Sequence, residues 1–507
     1  MNKIFIFLSV FFTGHIYSQS EVQWQKSIGG SDREVAHSIL QTNDGGYIME
    51  GSTKSNDGDV TNNHGNLDVW IVKLDDTGEI QWQHSYGGSG DDHGGSVQST
   101  LDGGYIVIGT SDSNNGDVLG NHGYFDAWIL KLDSNGNIQW QHSYGGSNFD
   151  GATAIEQTDD GGFIVAAYAY STDGNVIQNL GNCDYWILKL DTNGNIQWQK
   201  SYGGTDVDIP TSIQQTTDGG YIVGGETFSS DGNINGFHGE SDFWVIKLNS
   251  TGEFVWQKTL GGSDIEYADK IQQTNDGGYI ISGYAFSFDG DITGNHGTSD
   301  YWIVKLNSNG DIEWQKALGG TSNEYNGSIQ QTTDSGYIVT SYSYSNDGDV
   351  SGNHGNTDAW VVKLDTNGNI QWQKSMGGSD TDGAWTISQT TDGGFITAGW
   401  SNSNDGDVTQ NQGESDVWIV KLTNDGLGID DLNDSINLTI YPNPIRTSFS
   451  IDSKSSIEKI SIYDYAGKLI KTFNAQNEYD VSQLSKGIYL VSIKSGKYHT
   501  VQKLLID

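Results

Sequence analysis

The chain has 507 residues, with 25 Lys+Arg against 65 Asp+Glu and a formal net charge of -40. That length allows two or three domains with sizeable cores; that charge repels nucleic-acid phosphates and anionic lipid headgroups, so neither is an expected partner, whereas divalent cations or neutral glycans suit it. With 69 glycines, 3 prolines, 16 tryptophans and 25 tyrosines the composition points to many short strands joined by glycine turns, and the single Cys183 excludes an internal disulfide.

The chain opens on "MNKIFIFLSVFFTGHIYSQS", one early lysine, a short apolar run and a polar end. This is the pattern of a secretory signal peptide over residues 1–18, cut near Ser18. The apolar run is too short to span a bilayer and no later segment supplies a transmembrane stretch. No cysteine stands at the cleavage point, so an exported protein without a lipid anchor is expected.

Residues 19–423 are seven copies of one unit. Trp-Gln begins at Trp24, Trp82, Trp140, Trp198, Trp256, Trp314 and Trp372, each step being 58 residues, and Trp70 to Trp418 keep the same step. Each unit reads as four strands: A ("EVAHSILQT"), B ("GYIMEGS"), C ("DVWIVKL") and D ("EIQWQHS"). Short glycine turns, Asp44-Gly45-Gly46 and Asp75 to Gly78 in the first copy, join A to B and C to D. Strands B and C are apolar on both faces, as in a sheet sandwiched between neighbours. The chain enters with a lone D strand at Trp24 and leaves after a C strand at Trp418, so the first strand can complete the last set. A closed, seven-bladed β-propeller follows, with no free edge. In such a ring the long B–C loops and D–A crossovers share one face, and all the chemically rich residues fall there.

Four features of that face invite a function. Asp57, Asp59 and Asp68 take positions 1, 3 and 12 of a calcium-type loop, but Asn62 stands where an EF-hand needs glycine. Asp59 becomes Asn175 and Asn233 in other copies, so turn chemistry is the favoured reading and bound calcium the alternative. A loop histidine (His64, His122, His238, His296, His354) becomes Leu180 and Gln412, which fits a backbone-bonded loop residue better than a ligand. An acid begins every strand A: Glu34, Asp92, Asp150, Asp208, Glu266, Glu324 and Asp382. On the ring these seven would encircle the channel mouth, as polar caps or as a cation-collecting rim. Beside them lie two variable columns. Three residues on stand His37, Gly95, Thr153, Thr211, Asp269, Gly327 and Trp385; one residue on stand Val35, His93, Gly151, Ile209, Tyr267, Tyr325 and Gly383. Variation at one end of an otherwise uniform strand marks either a ligand site or relaxed packing around a channel. The candidate ligand-binding residues are the seven acids with His37, His93, Tyr267, Asp269, Tyr325 and Trp385; no catalytic residue is identified.

"KLDTNGNIQW" (363–372) resembles the tryptophan-docking repeat of quinoprotein propellers, in which such residues lock adjacent blades. Quinoprotein dehydrogenases have eight blades and usually a vicinal cysteine pair, so the resemblance implies fold and not activity. The same stretch is a near miss for the sialidase Asp-box. Sialidases need three arginines for a carboxylate, and Arg33 and Arg446 are the only two here, so that activity is excluded.

After an acidic linker (424–436) the composition changes. Residues 437–507 carry 9 Lys+Arg against 6 Asp+Glu, a net +3, and strands "INLTIYPNP", "IEKISIYDYAGKLIKTF", "GIYLVSIKSG" and "YHTVQKLLI" suit a small β-sandwich. Tyr441-Pro442-Asn443-Pro444, "LSKGIYLVSI" and the ending "QKLLI" closely resemble the type A sorting domain of the Bacteroidota type IX secretion system. That resemblance implies recognition by the outer-membrane translocon, with the cargo released or held at the cell surface. The leading expectation is a monomeric, secreted or surface-held, non-catalytic propeller that binds a glycan, a surface partner or cations, with no cofactor unless calcium. The rival is a secreted polysaccharide-degrading enzyme using carboxylates at the channel mouth.

Overall fold

The computed structural model describes residues 20–424 and, with short gaps, 438–506. The signal-peptide segment, most of the linker and the Pro442-Asn443 pair of the tail lie outside the described residues. The chain divides into two compact units, 1–425 and 426–507.

The first unit is a seven-bladed β-propeller. After β1 (Val22–Ile28), blade 1 is formed by β2 (Glu34–Gln41), β3 (Tyr47–Thr53), β4 (Asp68–Leu74) and β5 (Ile80–Tyr86). Strands β6 to β25 repeat this order in blades 2 to 6, which run Asp92–Tyr144, Asp150–Tyr202, Asp208–Leu260, Glu266–Leu318 and Glu324–Met376. Blade 7 has β26 (Asp382–Gln389), β27 (Phe395–Ser401) and β28 (Asp416–Leu422), and β1 completes it, antiparallel to β28 with Ile28 opposite Val417 and Lys26 opposite Ile419. First and last strands thus share one sheet, as the phase of the repeat predicts.

The sequence explains each joint. In the A–B turn Gly45 has φ 88°, and Ser335 takes the equivalent place at φ 68°. The one basic residue of each C strand is anchored: Lys73 Nζ lies 3.0 Å from Asp44 in the A–B turn, and all seven copies repeat this at 2.8–3.0 Å. The buried strand-C tryptophan donates to a strand-D glutamine, Trp70 Nε1 to Gln83 at 2.8 Å, and across the closure Trp418 Nε1 to Gln25 at 2.6 Å. The strand-D tryptophan docks on the next blade. A Cβ on Gly78 would stand 2.8 Å from the Trp24 ring, and one on Gly368 2.7 Å from Trp314, so each turn glycine is the seat of a neighbour's indole. Between blades lie buried apolar layers such as Ile106, Ile129, Phe163, Val165 and Trp186.

The second unit packs a sheet of β29 (Leu438–Tyr441), β30 (Ser448–Ser453) and β33 (Tyr479–Asp480) with a sheet ordered β32 (Leu469–Asn474), β31 (Lys459–Asp464), β34 (Gly487–Ser495), β35 (Tyr498–Ile506). Phe449, Ile460, Ile462, Tyr479, Val491 and Leu504 form its core.

Candidate functional site at the channel and the loop face

The residues of the calcium-type loop hold backbone. Asp57 Oδ1 accepts from Ser31 N at 2.7 Å, Asp59 Oδ2 from Gly29 N at 3.2 Å, and Asp68 Oδ2 from His64 N at 2.8 Å. Among the described residues no group of three or more His, Cys, Asp or Glu is placed to hold a metal ion. The loop histidines bond a carboxylate rather than backbone: His64 Nδ1 lies 2.8 Å from Asp68 Oδ2, and the other four histidines repeat the contact at 2.6–2.9 Å.

The seven strand-A acids are not an open rim, which corrects the placement expected from sequence. Glu34, Asp92, Asp150, Asp208, Glu266, Glu324 and Asp382 are all fully buried. Each accepts from the second glycine of the D–A crossover: Gly30 N at 2.8 Å from Glu34, Gly88 N at 2.7 Å from Asp92, Gly146 N at 2.7 Å from Asp150. The same contact ties Asp208 to Gly204 (2.8 Å), Glu266 to Gly262 (2.8 Å), Glu324 to Gly320 (3.0 Å) and Asp382 to Gly378 (2.7 Å). Hydroxyls and amides from the end of strand B and the start of the B–C loop also donate to these acids, as Thr53 Oγ1 (2.7 Å) and Ser55 N (3.1 Å) do to Glu34. None of the seven lines the channel. A carboxylate is used here because it can accept from crossover and loop at once.

The variable column three residues on is where strand A opens. In blade 1 the register of β2 on β3 jumps from Ala36–Gly51 to Ser38–Glu50, leaving His37 unpaired, and every blade shifts at the equivalent place. Such a bulge re-aims the extra side chain. His37, Thr153, Thr211, Asp269 and Trp385 thereby line the central cavity, about 420 Å³, in which Lys270 is the sole basic side chain besides His37. Thr211, Asp269, Asn326, Gly327 and Trp385 line a smaller recess together. Asp269 Oδ2 accepts from Gly327 N at 2.9 Å, yet burial pushes its carboxyl well above the usual range. Burial, with the charge of Asp269 added, raises Glu226 to about 8.

The other column joins a run of rings. Phe228 and Tyr267 centroids are 6.3 Å apart, Tyr267 and Tyr284 5.2 Å, Tyr284 and Tyr325 5.1 Å, Tyr325 and Tyr342 6.0 Å. The run continues through Tyr342–Trp400 at 5.1 Å, Trp400–Trp385 at 4.8 Å and Trp385–His37 at 5.4 Å. It crosses blades 4 to 7 and ends on blade 1, every member partly exposed. The structure therefore brings Tyr267, Tyr325, Asp269, Trp385 and His37 together. His93 is exposed in blade 2, near Phe125 rather than in this run. Sequence reasoning missed Tyr284, Tyr342, Trp400 and Glu226. They form a second variable column, on strand B, opposite the first: Tyr267 faces Tyr284, Tyr325 faces Tyr342, and Gly383 faces Trp400. The pairing leaves a signal in glycine: a Cβ on Gly383 would come 2.2 Å from the Trp400 ring, and one on Gly151 2.4 Å from the Tyr168 hydroxyl.

Comparison with known proteins locates the tail. Residues 439–507 match the secretion system C-terminal sorting domain family, so the chain carries a sorting domain for the type IX machinery and is secreted or held at the outer cell surface. None of the curated proteins compared matches the sequence. Among solved structures, the extracellular domain of a hybrid two-component system from B. thetaiotaomicron is similar at 12% identity, over 96% of this chain and 60% of that one, with a TM-score of 0.42. The Neurospora crassa Pan2 WD40 domain is similar at 12% identity over 78% and 95%, TM-score 0.41. A Bacteroides caccae protein of unknown function is similar at 13% identity over 68% and 94%, TM-score 0.37. No described helix is long and apolar enough to cross a membrane.

Proposed function

We propose that the protein is a monomeric, non-catalytic binding propeller, delivered to the cell exterior by its sorting domain, that takes a glycan on the loop face. The observation that carries this reading is the unbroken run of partly exposed rings from Phe228 to His37. Flat rings with a polar edge offer contact area at low entropic cost to the C–H faces of sugars, and Asp269 and Glu226 beside them accept from hydroxyls. With a net charge of -40, a neutral or amine-bearing glycan suits the surface and a polyanion does not. The rest of the loop face is occupied with its own turns, since the seven acids and the loop aspartates are already bonded to backbone.

The test is a glycan array probed with the full-length mature protein, followed by Tyr342→Ala and Trp400→Ala. Selective binding of a glycan class, lost in both variants at unchanged melting temperature, is the expected outcome. Cleavage of the bound glycan that disappears with Asp269→Asn or Glu226→Gln would replace this reading with the hydrolase one.

A further inference from the structure

Three side chains at the channel, His37 and Trp385 lining it and Glu50 buried behind them, are each alone in their repeat column. Glu50 stands where the other blades have Ile108, Ala166, Gly224, Ser282, Thr340 and Ala398, and His37 and Trp385 are the sole histidine and tryptophan of theirs. The fold brings all three together. His37 stacks on Trp385 with 12° between the ring planes, and its Nδ1 lies 3.6 Å from Glu50 Oε1, just beyond hydrogen-bond reach. Glu50 is fully buried behind the imidazole and over the next blade's Gly94, where a Cβ would come 1.6 Å from Oε1; the glycine is what admits the carboxyl. Both carboxyl oxygens of Glu50, His37 Nδ1 and Trp385 Nε1 are buried without a hydrogen-bond partner. Unpaired buried polar atoms cost stability, so a cluster of them at a cavity calls for a partner.

We propose that His37, Glu50 and Trp385 form a subsite inside the channel that receives one end of a carbohydrate chain; this rests on the glycan reading above and names where the chain ends. A small closing movement of His37 joins Nδ1–H to Glu50, which fixes the tautomer and leaves Nε2 as an acceptor toward the cavity. Trp385 Nε1 is a donor only. A sugar offers both a hydroxyl to donate to Nε2 and, once the Trp385 ring turns its buried N–H to the cavity, an oxygen to accept from the indole. An apolar group would leave both unpaired. A carboxylate or phosphate would be repelled by the strongly acidic protein. Serine, threonine and glutamine side chains dominate the remaining polar lining, with Ser96, Thr153, Gln214 and Gln272 among them, and these also suit a polyol. Glu50 is a positioning residue, since it acts through His37.

The experiment is calorimetric titration of the full-length mature protein with neutral gluco-, xylo- and manno-oligosaccharides. Trp385→Phe, which keeps a ring and loses the N–H, and Glu50→Leu should each weaken the best ligand about tenfold, as loss of a buried hydrogen bond does, while Glu50→Gln, whose amide oxygen still accepts from Nδ1–H, should stay within about threefold. The Trp385 indole proton resonance, assigned by its absence in Trp385→Phe, should shift on binding. If Tyr342→Ala weakens binding while Trp385→Phe and Glu50→Leu bind as the wild type, the subsite is overturned and the ring surface stands. If no oligosaccharide binds the wild type, both fall.

Discussion

The aspartate that opens each strand C is the residue on which the blade junctions turn. Its Oδ1 is buried without a hydrogen-bond partner in all seven blades. The neighbouring strand-A acid lies close by: a Cβ on Gly87 would be 2.6 Å from both Asp68 Oδ1 and Asp92 Oδ2. In five blades a histidine bonds the other oxygen; Leu180 and Gln412 take its place at Asp184 and Asp416, and these two carboxyls are pushed up to about 6, first by burial and then by Asp208 and Glu34 respectively. The sign follows from linkage. A folded-state value above the ordinary 3.8 means that the folded chain binds the proton more tightly, so stability is full below about pH 4 and is lost as pH rises towards 6. Asp184→Asn with Asp416→Asn should remove that loss, since the amide oxygen still accepts from the backbone and no charge is buried. Urea unfolding should show the double variant gaining up to about 3 kcal/mol for each of the two carboxyls over the wild type at pH 7.5 and little at pH 4. An equal difference at both pH values would mean that the two carboxyls are ionised throughout. The histidine's role was not legible: the sequence suggested a backbone partner, and the carboxylate four residues on is reached only through the turn between them.

At the scale of elements, most of the blade was legible because its signals are local. Short apolar strands, Asp-Gly-Gly turns and a constant step of 58 residues place every strand of the ring. The bulge in strand A was not legible. It occurs at the same position in all seven copies, so it leaves no gap in the repeat and no change of composition, and it shows only as a register jump against strand B. That jump decides which variable residues face the channel. The run of rings was missed for a related reason: Tyr284, Tyr342 and Trp400 lie on strand B, and their partners lie on strand A, 17 residues earlier in each copy. The element most exposed to test is β1. It contributes a full edge of blade 7, and Gln25 accepts from the Trp418 indole at 2.6 Å. Deleting residues 19–28 should leave β28 with an unpaired edge and an indole N–H without its partner, with loss of cooperative unfolding or association through that edge. An unchanged melting curve and a monomeric elution volume for the shortened protein would show that closure contributes nothing to stability.

At the scale of the molecule, the net charge of -40 and the calcium-type loops ask one question, whether metal offsets the charge. Seven blades repeat the loop, so even weak sites would act together. A ligand that binds only the folded state at 100 times its dissociation constant adds about 2.7 kcal/mol per site, and several blades would raise the melting temperature by many degrees, reversibly with a chelator. The loop carboxylates, however, already have work: Asp57 and Asp68 accept from backbone amides at 2.7 and 2.8 Å, and Asp59 from Gly29 N at 3.2 Å as well as from Gln412 Nε2 at 2.9 Å across the closure. An ion shared by the three would compete with these backbone contacts in each blade separately. Screening, in contrast, needs no site. Magnesium, or sodium at matched ionic strength, should therefore reproduce nearly all of the modest stabilisation that calcium gives. A calcium-selective rise in melting temperature, lost in an Asp68→Asn, Asp358→Asn variant, would show instead that the turns rearrange around the ion and that these loops are metal sites.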